Sequence, residues 1–280
     1  MPSIDSRTTT SDGTDLLTRH WPAFDAWSAV LLVRGLGEHS GRYEHVGNQL
    51  AAAGIDTYGF DNRGNGGSGG RRGHVDRWSQ YHDDLGERLA AVRAASGARP
   101  VALYGHSLGG LIVAGYCLSD RPKPDLVILS SPGLDSTLPG WKKAVARVLG
   151  SVAPTLAIPN GVSGETLSRD PSVAEKLNRD PVAAKVSTAR FGAEALQEQV
   201  RVRAAAPGGL GVPTFVQDGE DDGLVRVGAS AVFEGAPLVT RRTFPGMRHE
   251  LHNEPEGPEI VDGVIAWLRE QVDARGTLPA

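Results

Sequence analysis

The sequence predicts an α/β fold with a mostly parallel central sheet and helices on both of its faces. Short apolar runs alternate with helical patterns in the N-terminal half and again near the C-terminus, as strands and helices do around a parallel sheet. One of these runs leads into a turn with the pattern Gly-x-Ser-x-Gly. The composition, with 40% hydrophobic and 22% charged residues, is that of a globular chain with a buried core.

Each predicted strand of the first half is a short β-rich run that a turn terminates. Residues 29–33 are all apolar and precede Gly35, as is typical of a buried parallel strand. Similar runs at 55–60, 101–104 and 126–129 predict three more strands. Helices are predicted between them: at 43–53, which stops before the capping residue Gly54; from about 76, where apolar residues recur every three or four positions; and at 108–118.

The alternation breaks after Pro132 and resumes near residue 214. Residues 135–207 have the pattern of helices and loops without a strand. After them come a strand at 214–217, a helix near 225–233, a strand at 238–244 and a last helix at 258–272. We therefore predict a core formed by residues 1–134 and 208–280, with residues 135–207 inserted as a helical cap over the active site. The alternative is a second packing layer with no role in access.

Charge and cysteine content narrow the class of protein. A net charge of −4 without blocks of like charge argues against a nucleic-acid binder. The N-terminal residues are polar, and the longest apolar stretch, near 26–33, is too short to cross a bilayer. We therefore expect a cytoplasmic protein. Cys117 is the only cysteine, which excludes an internal disulfide and a cysteine-based metal site.

The most specific motif is Gly105-His106-Ser107-Leu108-Gly109, which lies between a predicted strand and a predicted helix. In a nucleophile elbow this context holds a serine on a sharp turn, and the glycines prevent collisions with neighbouring backbone. The backbone N–H of Leu108 would then donate to an oxyanion. The alternative is a glycine-rich turn with an incidental serine. The motif predicts Ser107 as a nucleophile.

A serine nucleophile needs a base and an acid that orients the base. We predict His249, after the last predicted strand, as the base; its rival His252 is expected at the surface. The acid is expected after the strand at 214–217, and Asp222 is chosen because it lies deepest in that loop. Asp135 is a weaker candidate. The loop holds four carboxylates that qualify by position: Asp218, Glu220, Asp221 and Asp222.

A glycine-rich loop after the first predicted strand is a candidate for the second oxyanion donor. It runs from Arg34 to His39 and has glycine at positions 35 and 37. Glycines let the backbone approach a substrate carbonyl, so the backbone N–H of Leu36 is the candidate donor. The alternative is an ordinary glycine-rich turn between a strand and a helix.

Together these segments resemble the monoacylglycerol lipase and lysophospholipase branch of the α/β-hydrolases. The resemblance implies the α/β-hydrolase fold, a triad of Ser107, Asp222 and His249, oxyanion donors at Leu36 and Leu108, and no cofactor or metal. It also implies hydrolysis of a monoacylglycerol or a related single-chain lipid ester through an acyl-enzyme. Acyl transfer or thioester cleavage by the same triad, and a non-catalytic ligand-binding protein, are the alternatives. The resemblant stretches are 35–43, 61–75, 104–110, 129–132 and 249–255, with 168–171 and 178–181 in the predicted cap.

Four positions depart from that branch, which has histidines where this chain has Arg34, Asn62, Asn65 and Asp218. Arg34 is the most informative of them. We expect it to form an ion pair with Asp61, because the strands that these residues end are predicted neighbours. The alternative is that its planar guanidinium faces the pocket and binds an anionic group of the substrate.

The predicted cap contains an amphipathic stretch. Its apolar stripe consists of Trp141, Val145, Val148 and Leu149, and basic residues occupy the other faces. Such a helix would lie on a membrane or a lipid droplet and admit an acyl chain. The alternative is packing of the stripe between the cap and the core.

Overall fold

The apolar runs of the sequence form the centre of an eight-stranded sheet. A computed structural model of the chain describes residues 2–276. Within them the strands are β1 (Ile4–Thr9), β2 (Asp15–Trp21), β3 (Ser28–Val33), β4 (Ile55–Phe60), β5 (Val101–His106), β6 (Leu126–Ser130), β7 (Ala157–Pro159), β8 (Val186–Thr188), β9 (Thr214–Gly219) and β10 (Val239–Phe244). The order across the main sheet is β1-β2-β4-β3-β5-β6-β9-β10, and β7 pairs only with β8.

The sheet is parallel from β4 to β10, and β1 and β2 run antiparallel at one edge. Helices follow all but one of the parallel strands, as is typical of crossovers in a parallel sheet. They are α1 (Glu44–Ala52), α2 (Ser79–Ser96), α3 (Leu108–Cys117), α4 (Gly140–Val152), α5 (Gly164–Leu167), α6 (Pro171–Arg179), α7 (Ala189–Ala205) and α8 (Gly257–Gly276). The predicted α/β-hydrolase fold is confirmed.

Two apolar cores cover the two faces of the sheet. Because successive strand residues point to opposite faces, Leu31 packs with α2 and α3 on one side, while Val30 and Leu32 pack with α1 and α8 on the other. β3, β5 and β6 are consequently buried along their whole length. Two of these strands, β3 and β5, carry loops on which the candidate site is built; its other loops follow β9 and β10.

The structure corrects three details of the prediction. The hairpin β1–β2 was not expected, because its mostly polar residues give no apolar run: an edge strand keeps one side in water. The helix predicted near 225–233 is a single 3-10 turn, Ala229–Phe233, which follows Gly228 with a positive φ of 78°. Residues 135–207 were expected to lack strands, but β7 and β8 form a short antiparallel pair there.

The segment between β6 and β9, here called the insertion (residues 135–207), contains α4 to α7 and the β7–β8 pair. α4 lies very close to α7, because a Cβ added at Gly150 would come within 2.3 Å of the Cβ of Ala193. Among the residues described, no helix is long and apolar enough to span a membrane.

Candidate active site

The predicted site residues all follow the C-terminal ends of parallel strands, where α/β sheets place their ligands. Ser107 follows β5, Asp222 follows β9, and His249 follows β10. The loop that carries Leu36 follows β3, the strand hydrogen-bonded to β5. Parallel pairing therefore brings together loops that are far apart in the sequence.

The turn at Ser107 is strained and tightly packed. Its φ of 52° and ψ of −116° are costly for any residue with a side chain. A Cβ at Gly109 would meet the carbonyl oxygen of Val33 at 1.9 Å, and one at Gly105 would meet that of Gly109 at 2.6 Å. The two glycines of the motif are thus required by close backbone approach, as the nucleophile elbow predicts.

The three predicted triad residues form a chain of contacts through His249. Nε2 of His249 lies 2.8 Å from Oγ of Ser107, and Nδ1 lies 2.7 Å from Oδ2 of Asp222. An ionised carboxylate only accepts hydrogen bonds, so Nδ1 carries the proton and Nε2 accepts from the serine. The other carboxylate oxygen of Asp222 accepts the backbone N–H groups of Leu224 at 2.8 Å and Val225 at 2.9 Å, which fixes its orientation.

Each partner of the His249–Asp222 contact shifts the pKa of the other. Burial alone would lower the pKa of His249, but the hydrogen bond and the negative charge of Asp222 outweigh it and raise the pKa above its ordinary value. For Asp222, burial would raise the pKa, and the hydrogen bond and charge of His249 reverse this and lower it. The two pKa shifts are opposite in direction, and each stabilises the charged form of its own group in the pair that forms when the serine proton is transferred.

Two other candidates for the triad acid, Asp218 and Asp135, contact residues other than His249. Asp218 accepts a short hydrogen bond from Ser230 and lies 3.6 Å from Arg241. Asp135 forms ion pairs of 2.6 to 3.0 Å with Lys143, Arg203 and Arg226. Only Asp222, among the carboxylates weighed for this role, contacts His249.

The rival base His252 was expected at the surface, and this expectation is wrong. Its side chain is buried against Tyr43 and His106, with ring centroids 5.0 Å apart in both cases. Neither of its ring nitrogens has a hydrogen-bond partner in the described part of the chain. Burial and the nearby His106 and His45 lower its pKa well below the ordinary value, so it packs as a neutral ring.

The loop with the second predicted oxyanion donor lies against the nucleophile. A Cβ at Gly35 would be 3.3 Å from Cβ of Ser107. Within residues 2–276, the backbone N–H groups of Leu36 and Leu108 have no hydrogen-bond acceptor. Neither N–H group is therefore used in a hydrogen bond within the described residues.

The same loop is tied to the insertion. The backbone N–H of Ala184 donates to the carbonyl oxygen of Gly37 at 2.9 Å, and Nε2 of His39 lies 3.0 Å from Asp180. These two contacts join residues 180–184 of the insertion to the loop that carries Leu36.

Arg34 is buried, but the expected ion pair with Asp61 does not form. The carboxylate of Asp61 instead accepts the backbone N–H groups of Ser40 at 2.6 Å and Gly67 at 2.7 Å. The guanidinium of Arg34 donates to the carbonyl oxygens of Gly35 at 2.6 Å and Asn62 at 3.4 Å. Burial lowers the pKa of Arg34, and the more distant charge of Asp61 opposes this.

One group of side chains among those described has the spacing of metal ligands: Glu38, His106 and Glu250, whose ligand atoms lie within 4.8 Å of one another. The guanidinium of Arg42 contacts both carboxylates of this group. Its Nε is 3.2 Å from Glu38 and its Nη2 is 2.9 Å from Glu250. A cation already bound by both carboxylates does not fit a metal site, and the sequence analysis did not foresee this cluster.

Comparison with known proteins agrees with the geometry. The family model Hydrolase_4, described as serine aminopeptidase, S33, matches residues 25–256. The monoacylglycerol lipase of Mycolicibacterium smegmatis is 33% identical over 88% of this chain and 90% of its own. The monoglyceride lipase of Homo sapiens is 29% identical over 95% of this chain and 91% of its own.

Solved structures give the same result. A monoacylglycerol lipase from Paleococcus ferrophilus superposes with a TM-score of 0.80 at 29% identity, over 97% of this chain and 100% of that one. A monoglyceride lipase from Saccharomyces cerevisiae shares the fold, with a TM-score of 0.86 at 20% identity over 97% of this chain and 96% of that one. The chain therefore belongs to the Hydrolase_4 family (serine aminopeptidase, S33) of the α/β-hydrolases.

Proposed function

We propose that this protein is a serine hydrolase that cleaves single-chain lipid esters, monoacylglycerols first among them, through an acyl-enzyme on Ser107. The observation that carries the proposal is the contact series Ser107–His249–Asp222, with distances of 2.8 and 2.7 Å. The choice of lipid ester is supported by the 33% identity to the monoacylglycerol lipase of M. smegmatis.

In the proposed reaction each residue has a role that its contacts support. His249 removes the proton of Ser107 as its Oγ attacks the ester carbonyl, and Asp222 stabilises the imidazolium that forms. The N–H groups of Leu36 and Leu108 donate to the oxyanion of the tetrahedral intermediate. His249 then protonates the departing alcohol, glycerol for a monoacylglycerol, and a water molecule activated in the same way releases the fatty acid.

A substrate comparison on the native chain tests the proposal. We expect release of glycerol from 1-monooleoylglycerol, followed by a coupled glycerol assay, at a kcat/KM above that for oleoyl thioesters of the same acyl length. Because the family is described as serine aminopeptidase, S33, an aminoacyl anilide is included as a third substrate to measure aminopeptidase activity. Faster cleavage of the thioester or of the anilide would contradict the ester proposal.

Arg34 is proposed to bind an anionic group of the substrate. It directly precedes the loop that carries Leu36, and its Nε has no partner among the described residues, which leaves one N–H for such a group. A hydrogen bond to a charged group contributes about 1.5–3 kcal/mol, so Arg34→Ala is expected to raise KM for a hemisuccinate ester at least about tenfold more than for the neutral ester. Equal increases in KM for the two esters would refute this role.

The insertion is proposed to act as a cap over the site and to contact a lipid surface through α4. α4 is amphipathic in an unusual sense, because its apolar side faces outward. Trp141 is 66% exposed, Val148 60% and Val152 73%, whereas the small residue Gly150 is buried against α7. Leu149, expected in the stripe, is half-buried. Solvent-facing apolar residues on one helix face are typical of interfacial helices.

The double variant Trp141→Ser, Val148→Ser tests this contact. Burying these side chains in a bilayer contributes more than about 1.4 kcal/mol, so the variant is expected to bind phosphatidylcholine–phosphatidylglycerol vesicles at least about tenfold more weakly in co-sedimentation. Phe24→Ser is the matched control, because Phe24 is 90% exposed outside the insertion. Unchanged sedimentation of the double variant, or an equal loss in Phe24→Ser, would count against the contact.

A further inference from the structure

A buried ion-pair cluster lies beside the triad and is used by none of the steps above. It consists of Glu38, Arg42 and Glu250, here called the bridge. Nε of Arg42 lies 3.2 Å from Glu38, and Nη2 lies 2.9 Å from both carboxylate oxygens of Glu250. The side chains of all three are at most 10% exposed.

One end of the bridge holds the oxyanion loop. Oε2 of Glu38 accepts the backbone N–H of Gly35 at 2.7 Å and the hydroxyl of Tyr43 at 2.9 Å. Gly35 directly precedes Leu36, the predicted donor, and its backbone packs against Ser107. The carboxylate of Glu38 therefore fixes the peptide next to the one whose N–H would meet the oxyanion.

The other end holds the histidine loop. Glu250 is the residue after His249, and its carboxylate also accepts Nδ2 of Asn253 at 2.6 Å. Its backbone N–H donates to the carbonyl oxygen of Leu167 at 2.7 Å. Arg42 is 208 residues away in the chain, so the guanidinium is a direct link between two loops that the sequence does not connect.

The ionisation states of the carboxyl groups at the two ends of this link depend on one another. Burial and the negative charge of Glu38 raise the pKa of Glu250 to about 7, against the opposing charge of Arg42. Glu38 stays ionised, because Arg42 and its other neighbours outweigh burial and lower its pKa. Because Arg42 contacts both carboxylates, each of the three groups limits the positions open to the other two.

We propose that Glu250 is a positioning residue, which through Arg42 and Glu38 sets the distance between His249 and the oxyanion donor Leu36. It touches no reacting atom. Its effect is on the transition state, because that is the point at which the imidazolium and the oxyanion donors must act together on one tetrahedral centre. The inference rests on the proposed ester hydrolysis.

Steady-state kinetics of Glu250→Ala on a water-soluble ester test this role. A misplacement of about 1 Å in a catalytic group lowers rates up to about 100-fold, so we expect kcat to fall by about 10- to 100-fold with KM within about twofold. The affinity for a trifluoromethyl ketone transition-state analogue should fall in parallel. Glu250→Gln, which keeps an oxygen for Arg42, should recover most of kcat.

Glu198→Ala is the matched control for a merely structural effect. Glu198 is also a buried glutamate in an ion pair, with Arg201 on α7, away from the triad. This variant is expected to lose thermal stability but to keep kcat. A folded Glu250→Ala chain with native kcat, or a loss of kcat matched by Glu198→Ala, would overturn the positioning role.

A double-mutant cycle tests the path through Arg42. If Glu250 acts through the guanidinium, the losses in kcat of Glu250→Ala and Arg42→Lys are strongly non-additive; additive losses would refute the bridge. If Glu250→Ala does not fold, the loss in kcat of Arg42→Lys alone tests the bridge. A lysine cannot reproduce the fork that contacts two carboxylates. A native chain that hydrolyses no ester would instead overturn the proposed function itself, and this inference with it.

Discussion

Ser107→Ala is expected to abolish ester hydrolysis, with a loss in kcat of at least about 10⁴-fold. The hydroxyl of Ser107 lies 2.8 Å from Nε2 of His249, and alanine offers neither the nucleophile nor the proton. The measurement is intact-mass detection of a fluorophosphonate adduct, which reports an activated serine whatever the natural substrate is. The native chain should gain one adduct and the variant none.

Ser131→Ala is the control for this experiment. Ser131 is buried close to the elbow, and its hydroxyl has no hydrogen-bond partner among the described residues. This variant should form the adduct as the native chain does. An adduct that persists in Ser107→Ala would place the nucleophile elsewhere. A folded native chain without any adduct would mean that the loops in which Arg34, Asn62, Asn65 and Asp218 replace the histidines of related enzymes have disabled the site.

Asp222→Asn is expected to lower kcat by about 10⁴-fold, as the corresponding change does in serine proteases. An asparagine amide donates to Nδ1 of His249 and so stabilises the tautomer with the proton on Nε2. That tautomer cannot accept the proton of Ser107. The matched control is Asp218→Asn in the same loop, where the carboxylate contacts Ser230 and Arg241 instead of the histidine; a comparable loss there would contradict the assignment of the acid.

The pH profile gives a second, independent measure of the same pair. Burial lowers the pKa of His249, but Asp222 raises it above the ordinary value of 6.5. Because the neutral imidazole is the active base, kcat/KM should rise with pH through a midpoint above 6.5. In Asp222→Asn the raising charge is lost while burial stays, so the midpoint should move to lower pH. A midpoint that does not move would show that Asp222 is not coupled to the base.

The parts of the structure that were predicted are those with local causes. β3, β5 and β6 are apolar runs because both of their faces are covered, and the elbow at Ser107 needs glycine on both sides because the backbone passes so close. The order of serine, acid and histidine follows from the fold. The strands and the elbow each depend on a short stretch of sequence, so residue pattern and spacing were sufficient to predict them.

The parts that were missed depend on contacts between distant segments. The strands of the β1–β2 hairpin carry polar residues because they lie at an edge of the sheet, which no local pattern reveals. Arg34 and Asp61 do follow neighbouring strands, but the carboxylate of Asp61 accepts backbone N–H groups instead of pairing with Arg34. His252 is buried by Tyr43 and His106, which come from other loops. Burial of this kind is set by tertiary packing rather than by the residue's own surroundings in the chain.

The attachment of residues 180–184 to the loop after β3 limits how far this part of the insertion can move. A displacement of residues 180–184 would either break the hydrogen bonds from Ala184 to Gly37 and from His39 to Asp180 or move the loop that carries Leu36 away from Ser107. Residues 180–184 are thus anchored to the loop that carries Leu36. On the proposal that the insertion caps the site, an opening that admits an acyl chain would therefore leave residues 180–184 in place.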